Sequence, residues 1–244
     1  MEKEITLDKI PTHIAFIMDG NGRWAKKRLL PRSFGHREGV KRIKETALLC
    51  DEFNVKVMTL FCFSTENWKR SKEEVDTLFS LFDEFFDKEI NELHERNCII
   101  HTMGDLTKLP LSTQQKIAEA KELTKNNTGI VLNICLNYGG HDDIVHACKE
   151  IVNEVLDKKL SVDEINEKVF EKHLMSDDLP PVDLMIRTSG ELRISNFCLW
   201  QLAYSELIFI DDYWPDFKRK QFVACLEEYA SRNRRFGGIK YGNK

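Results

Sequence analysis

A chain of 244 residues, 42% hydrophobic and 31% charged, has enough apolar material for one sizeable core and reads as a globular protein. Its formal net charge of -4 argues against a generally basic nucleic-acid surface, so no nucleic-acid partner is expected, although a local cluster of arginines can still hold an anion at short range. The opening MEKEITLDKIPTH lacks the basic-then-apolar order of an export signal, no apolar run is long enough for a bilayer, and the seven scattered cysteines include no CxxC pair; the expected location is a reducing cytoplasm, with peripheral attachment to a membrane left open.

The first apolar run, HIAFIM (13 to 18), predicts a strand, and DGNGRW follows it directly. Asp, Asn and Gly favour turns, so DGNG in isolation is a turn. Here Arg23, Arg28, Arg32, His36 and Arg37 follow closely, and a helix N-terminus with several cations suits an anion. A diphosphate with a divalent metal uses all the parts: Asp19 for the metal, glycine amides and arginines for the oxygens. GNGRWA (20 to 25) also fits the loose dinucleotide pattern GxGxxA. The next predicted strand, VKVMTLFCF (55 to 63), is followed by Ser64 rather than by the acid that would hold a ribose, and no GxxxxGK[ST] loop occurs.

A helix is predicted over 35 to 52, before that second strand. FSTENWKR then brings Ser64, Glu66, Asn67, Trp68 and Arg70 ahead of a helix over 72 to 96, for which Ser71 and Glu74 fit a capping box. Phe79, Phe82 and Phe86 belong to that helix's broad apolar face, which serves either as core or as one wall of an apolar tunnel. Strands CIIHTM (98 to 103) and GIVLNICL (129 to 136) follow, then VDLMIR (182 to 187) and SELIFI (205 to 210), with helices over 112 to 126, 141 to 157, 163 to 174 and 218 to 234. Ser112 with Gln115, and Ser161 with Glu164, fit further capping boxes, and SDDLPPVD (176 to 183) is the longest expected loop. The alternation predicts a single α/β domain, residues 1 to 244, with a mainly parallel central sheet flanked by helices. DGNGRW, STENWKR, NYGGHDD and TSGELRISN all fall beyond strand ends, where a parallel sheet gathers its functional loops. RTSGELRIS (187 to 195) supplies Arg187, Ser189, Arg193 and Ser195, which suggest a second anion.

The blocks HIAFIMDGNGRWAKKR, RSFGHREG, TLFCFSTENWKRSKEEV, NYGG, DLMIRTSGELRISNFCLWQLAYSEL, WPDF and RRFGG occur in the order seen in the cis-prenyltransferase family, over about residues 11 to 238. The chain most resembles the bacterial branch that makes undecaprenyl diphosphate. The resemblance implies successive condensation of isopentenyl diphosphate onto an allylic diphosphate, usually farnesyl diphosphate, with cis double bonds, magnesium as cofactor, a homodimer, an apolar tunnel, and a carrier lipid for cell-wall synthesis delivered to a membrane. Short- or medium-chain products and a non-catalytic partner subunit are the alternatives. The DDxxD motif of the trans-acting enzymes does not occur.

Carried onto this chain, the resemblance makes Asp19 the essential carboxylate and a magnesium ligand. Gly20, Asn21, Gly22, Arg23, Arg32 and His36 form the allylic diphosphate pocket, with Trp24 beside the prenyl chain. Ser64, Thr65, Glu66, Asn67, Trp68 and Arg70 form the second substrate-facing block, with Asn67 as proton acceptor, although a neutral amide is a poor base. Arg187, Arg193, Ile194 and Ser195 match the isopentenyl diphosphate site, and Glu206 a second metal-associated carboxylate. Leu192 stands where some members carry His and cannot ligate a metal. Arg235 and Gly237, in RRFGG, match a tail that crosses to the partner.

Overall fold

The computed structural model describes residues 9–233. Six strands form one all-parallel sheet in the order β3-β4-β2-β1-β5-β6: β1 His13–Ile17, β2 Val57–Ser64, β3 Ile99–Met103, β4 Val131–Tyr138, β5 Leu184–Arg187 and β6 Glu206–Phe209. The helices are α1 Asn21–Lys27, α2 Arg32–Glu52, α3 Lys72–Glu95, α4 Leu111–Thr124, α5 Gly140–Leu156, α6 Glu167–Glu171 and α7 Arg219–Ser231. Every predicted strand forms, because each is a short aliphatic run that can be buried on both faces. Side-chain alternation divides the core: Ile14 and Phe16 of β1 join the larger cluster with α2, α3, α4 and α7, whereas Ala15 and Ile17 join a smaller one with Tyr138, Met185 and Phe197.

Three local expectations are corrected. The helix N-terminus expected after DGNG is present, but it opens a separate two-turn helix, Asn21–Lys27, packed on α2, which itself begins at Arg32 rather than at residue 35. Gly35 permits that packing, since a Cβ there would lie 1.9 Å from the Asn21 carbonyl oxygen. The helix expected over 163 to 174 is instead a 3-10 turn, Val162–Glu164, followed by the short α6, whose cap is Asn166. Ser112 caps nothing, because α4 begins one residue earlier with Pro110 at its N-cap; Gln114 rather than Gln115 reaches back, to the carbonyls of Thr107 and Leu109. The Ser161–Glu164 box forms as expected.

The strand order locates the functional edge. The chain leaves β1 towards β2 on one side and leaves β5 towards β6 on the other, so a crevice opens beyond the carboxyl ends of β1 and β5. Ile17 and Arg187 are register partners at that edge. Among the described residues no helix is long and apolar enough to cross a membrane. All seven cysteines are free; five are buried, Cys62 is half-buried and Cys148 is exposed.

Candidate active site

A cleft of about 1150 Å³ occupies this crevice and runs between α2 and α3. Asp19, two residues past β1, is its hub. One carboxylate oxygen accepts from Arg187 at 2.9 Å; the other accepts from the Gly20 amide at 2.6 Å and lies 3.1 Å from Arg23. Burial by itself would raise the Asp19 pKa, but Arg187, the Gly20 amide and Arg23 together hold it below the ordinary carboxylate value. Its backbone is fixed as well, since the carbonyl accepts from the Thr188 hydroxyl at 2.7 Å and the Trp214 amide at 3.0 Å. This gives the WPDF block a positioning role that its sequence does not suggest. Gly20 is obligatory here: its φ is +97°, and a Cβ would lie 2.6 Å from the Tyr213 ring.

Arg187, only 3% exposed, forks between Asp19 and the Ser195 hydroxyl (2.9 Å), and also donates to the Arg193 carbonyl. The loop it opens is backbone-strained, with Ser189, Ser195 and Asn196 at φ of +86°, +51° and +62°. Glu191 gathers Arg23 at 2.7 Å and Arg193 at 2.5 Å. Across the cleft Glu74 plays the same part for Arg70 (3.0 Å) and Arg32 (3.2 Å). Only half of the expected Ser71–Glu74 box therefore forms: Ser71 accepts from the Glu74 amide, while the Glu74 carboxylate turns to the arginines. His36 lies 3.8 Å from Glu74, but desolvation first, and the neighbouring Arg32 next, push its pKa down to about 4, so it is neutral at pH 7 and forms no ion pair.

The cleft brings together most of the residues expected at the site: Asp19, Gly20, Asn21, Gly22, Arg23, Arg32 and His36 on one side, and Ser64, Glu66, Asn67, Arg70, Arg187, Arg193 and Ser195 on the other. Five expected residues do not line it. Trp24 turns its indole N–H to Asp216 (2.8 Å) beneath the Arg28 guanidinium. Trp68 meets Phe63 edge-on, lies tilted against Phe79 and donates to Asn137 (2.8 Å), so its ring packs on the rim of the core, still 39% exposed. Thr65 donates to Asp142 at 3.1 Å, and Ile194 packs on the smaller core. Glu206 begins β6 at the amino end of the sheet, paired with Arg232 at 2.8 Å, whereas Asp19 lies beyond the carboxyl ends. The two carboxylates thus sit at opposite edges of one subunit and do not share a metal within it. Asn67 is committed locally: its amide oxygen accepts from the Ser64 N–H at 3.1 Å in a reciprocal cap of the 3-10 turn Thr65–Lys69. Arg235 and Gly237 lie outside the described residues.

The NYGGHDD loop contributes indirectly. Gly140 and His141 donate to Asn196 at 2.6 and 2.8 Å, and Asn196 in turn donates to Glu66 (3.0 Å) on the cleft wall. Asn196, Glu74 and Glu191 are the residues that sequence reasoning did not assign. For Glu74 the signal was present as the i, i+4 spacing from Arg70; Asn196 and Glu191 depend on contacts between loops and carry no such spacing.

Beyond the charged end the cleft is apolar, lined by Val40 and Ile43 of α2 and Leu78, Leu81 and Phe82 of α3. Phe82 is thus on the wall, but Phe79 and Phe86 face the core. Three residues lining the charged end carry a buried polar atom with no hydrogen-bond partner among the described residues: Asn21 Oδ1, His36 Nε2 and Arg187 Nε. Buried polar atoms are normally paired, so their presence on both sides of the charged end, with an aliphatic stretch beyond, suits a polar ligand with an apolar body.

A family profile described as putative undecaprenyl diphosphate synthase matches residues 17–237. The chain belongs to this prenyltransferase family. It is 50% identical over 238 residues to the isoprenyl transferase of Bacillus subtilis, covering 98% of this chain and 92% of that one. It is 49% identical over 237 residues to the Pasteurella multocida ditrans,polycis-undecaprenyl-diphosphate synthase ((2E,6E)-farnesyl-diphosphate specific), covering 97% and 99%. Among solved structures, lavandulyl diphosphate synthase from Lavandula x intermedia in complex with dimethylallyl diphosphate superposes with a TM-score of 0.91 at 36% identity, over 93% of this chain and 98% of that one. Membership closes the dinucleotide reading of GNGRWA, and β2 indeed ends on Ser64 with no acidic residue beside it.

Proposed function

We propose that the chain condenses isopentenyl diphosphate units onto farnesyl diphosphate with cis geometry, building a long polyprenyl diphosphate of the undecaprenyl class that serves cell-wall synthesis. The observation that carries this reading is a cleft whose charged head is lined by Arg23, Arg32, Arg187 and Arg193 and by the unpartnered buried polar atoms of Asn21, His36 and Arg187, and whose far walls are aliphatic. The farnesyl-specific relative at 49% identity supports the choice of primer.

The allylic C–O bond must lengthen as negative charge gathers on the departing diphosphate. Donors fixed in advance stabilise that charge most, because they need not reorganise. Arg23, Arg32 and the Gly22 amide supply them on the allylic side. Arg187, Arg193 and Ser195 hold the second diphosphate, which brings the alkene to the electron-poor carbon. The proton lost from the new carbon skeleton then needs an acceptor. Asn67 is a weak one, and its amide oxygen is already engaged.

Magnesium is the proposed cofactor. Among the described residues no three His, Cys, Asp or Glu side chains converge as a protein-built metal cage. A single carboxylate fits this ion nonetheless, since magnesium commonly takes one or two carboxylates and completes its shell with phosphate and water. Asp19 would hold it, and when bound the ion neutralises charge developing on the leaving diphosphate.

Each added isoprene unit brings five carbons, and leaving them in water would cost about 4 kcal/mol at about 0.8 kcal/mol per CH₂. The aliphatic stretch between α2 and α3 is accordingly read as the tunnel for the growing chain. A homodimer is proposed on the apolar stripe that α5 exposes at Val145, Val152 and Leu156, and its mass in solution is the check. The expected setting is the cytoplasm, at the membrane that receives the product.

The deciding experiment incubates purified protein with farnesyl diphosphate, labelled isopentenyl diphosphate and magnesium, reading product mass and double-bond geometry beside an EDTA control. Long all-cis additions that vanish with EDTA are expected. A short-chain synthase is the second reading, favoured by the close superposition on lavandulyl diphosphate synthase; products that stop after one or two additions would select it. No product from any allylic primer would leave a non-catalytic partner subunit.

A further inference from the structure

Residues 23 to 37 carry six Lys or Arg and no Asp or Glu, in a chain whose formal net charge is -4. Within this stretch every residue from Lys26 to Phe34 is exposed. All four of its arginines already have carboxylate partners: Arg23 with Asp19 and Glu191, Arg28 with Asp216, Arg32 with Glu74 and Arg37 with Glu84. Lys26 and Lys27 make no ion pair among the described residues.

Apolar side chains interrupt the cations where water contact is greatest. Leu29 is 95% exposed and Phe34 52%, with Leu30 beside them. Leu29 also has a φ of +57°, a left-handed conformation that disfavours any side chain with a Cβ, and it occupies the connection between α1 and α2 where a glycine would be unstrained. A leucine held there, strained and almost wholly in water, has no packing role within the subunit. Lys26, Leu29 and Leu30 also line the substrate cleft, so the patch is continuous with its mouth.

We propose that the segment from Lys26 to Phe34 is a docking surface for an anionic lipid bilayer, placed at the mouth of the cleft. Leu29, Leu30 and Phe34 enter the boundary between headgroups and acyl chains, while Lys26 and Lys27 face lipid phosphates. Basic and large apolar side chains alternating on one exposed segment are the composition that interfacial binding uses, and charge complementarity favours a bilayer over an apolar protein groove. The patch differs from the α5 stripe, which has no comparable run of cations. Docked in this way, the protein exchanges a long apolar ligand between cleft and bilayer without its tail crossing bulk water.

The test is flotation of the full chain with vesicles of phosphatidylcholine, alone or mixed with phosphatidylglycerol, in the absence of substrate and magnesium. Binding to the mixed vesicles is expected, weakening as salt rises. Phe34→Ser should lower the partition coefficient about tenfold and Lys27→Gln about fivefold, both with an unchanged melting temperature. Neither residue lines the cleft. Failure to float with mixed vesicles, or flotation that both variants leave intact, overturns the proposal. So does vesicle-free self-association that Phe34→Ser abolishes, which would assign the patch to a second copy of the chain. Because no turnover is read, a protein that floats but makes no prenyl product keeps the docking surface and loses only the proposed reaction.

Discussion

The two ends of the cleft are built on different principles. At the charged end, loops beyond β1 and β5 hold Asp19, Arg187 and their neighbours through directional contacts of 2.6–3.1 Å, with backbone strain at Ser189 and Ser195. At the apolar end, Val40, Ile43, Leu78, Leu81 and Phe82 belong to two long helices and contribute bulk without direction. Fixed dipoles lose their effect when displaced by an ångström, whereas an aliphatic wall tolerates changes of shape. Substitutions at the head should therefore change rate, and substitutions on the wall should change product length.

The largest effect should come from Asp19. Asp19→Ala and Asp19→Asn are expected to lower turnover by about 10²–10³-fold with the fold intact by circular dichroism. Near-normal turnover in either would break the contrast at its centre. Arg187→Lys keeps the charge but loses the fork that reaches Asp19 and Ser195 together, and about 10²-fold is expected in kcat/KM for isopentenyl diphosphate. A loss smaller than a few-fold would mean that only the charge matters.

Stability should also separate the head from the sheet beneath it. Burial pushes both His36, in the cleft, and His13, on β1, down to about pKa 4. The unfolded chain binds protons on these residues from about pH 6.5 downwards, while the folded chain resists until about pH 4. Stability is therefore full above pH 6.5 and is lost as pH falls through that window, by on the order of 3 kcal/mol for each histidine. His36→Gln should flatten part of that slope in denaturant titrations at pH 5 and pH 7, and bound diphosphate should alter it only when His36 is present. His13, held by Thr59 and the Pro180 carbonyl away from the cleft, should respond to pH without responding to ligand.

The smallest effect on rate, and the sharpest on product, belongs to the wall. Leu81→Trp should shorten the product ladder and Phe82→Ala lengthen it, with turnover per addition changed less than about tenfold. Phe79→Ala is the internal control: it is expected to cost about 3–5 kcal/mol of stability while leaving the ladder unchanged, because Phe79 packs on Phe63 and Trp68. If Phe79 and Phe82 shifted the ladder equally, the division between wall and core would fail.

Much of the fold was legible because its signals are local. Six aliphatic runs became six strands, and the periodicity of α3 marked a broad apolar face without distinguishing Phe82 on the cleft from Phe79 in the core, since both fall within that face. The short α1 was legible only as a helix N-terminus after DGNG and not as an element with an end, because two turns beginning at glycine and asparagine carry little propensity, and the glycine at position 35 that lets it pack lies in the first turn of the next helix. At the site, DGNGRW and RTSGELRIS announced anion chemistry through their own composition. Glu206 illustrates the converse: its carboxylate is chemically plausible in sequence, but strand direction sends it to the opposite edge of the sheet.

The sequence by itself determined the parallel α/β class, the family, and the identities of the cations and the carboxylate at the cleft head, because strand burial, motif order and charge density are written in contiguous residues. Only the tertiary structure decided that Glu74 and Glu191 each gather two arginines, that Trp24 and Trp68 turn away from the cleft, and that Asn196 braces Glu66. These depend on which side chains meet across loops far apart in the chain, and that is set by strand order and helix packing rather than by residue type.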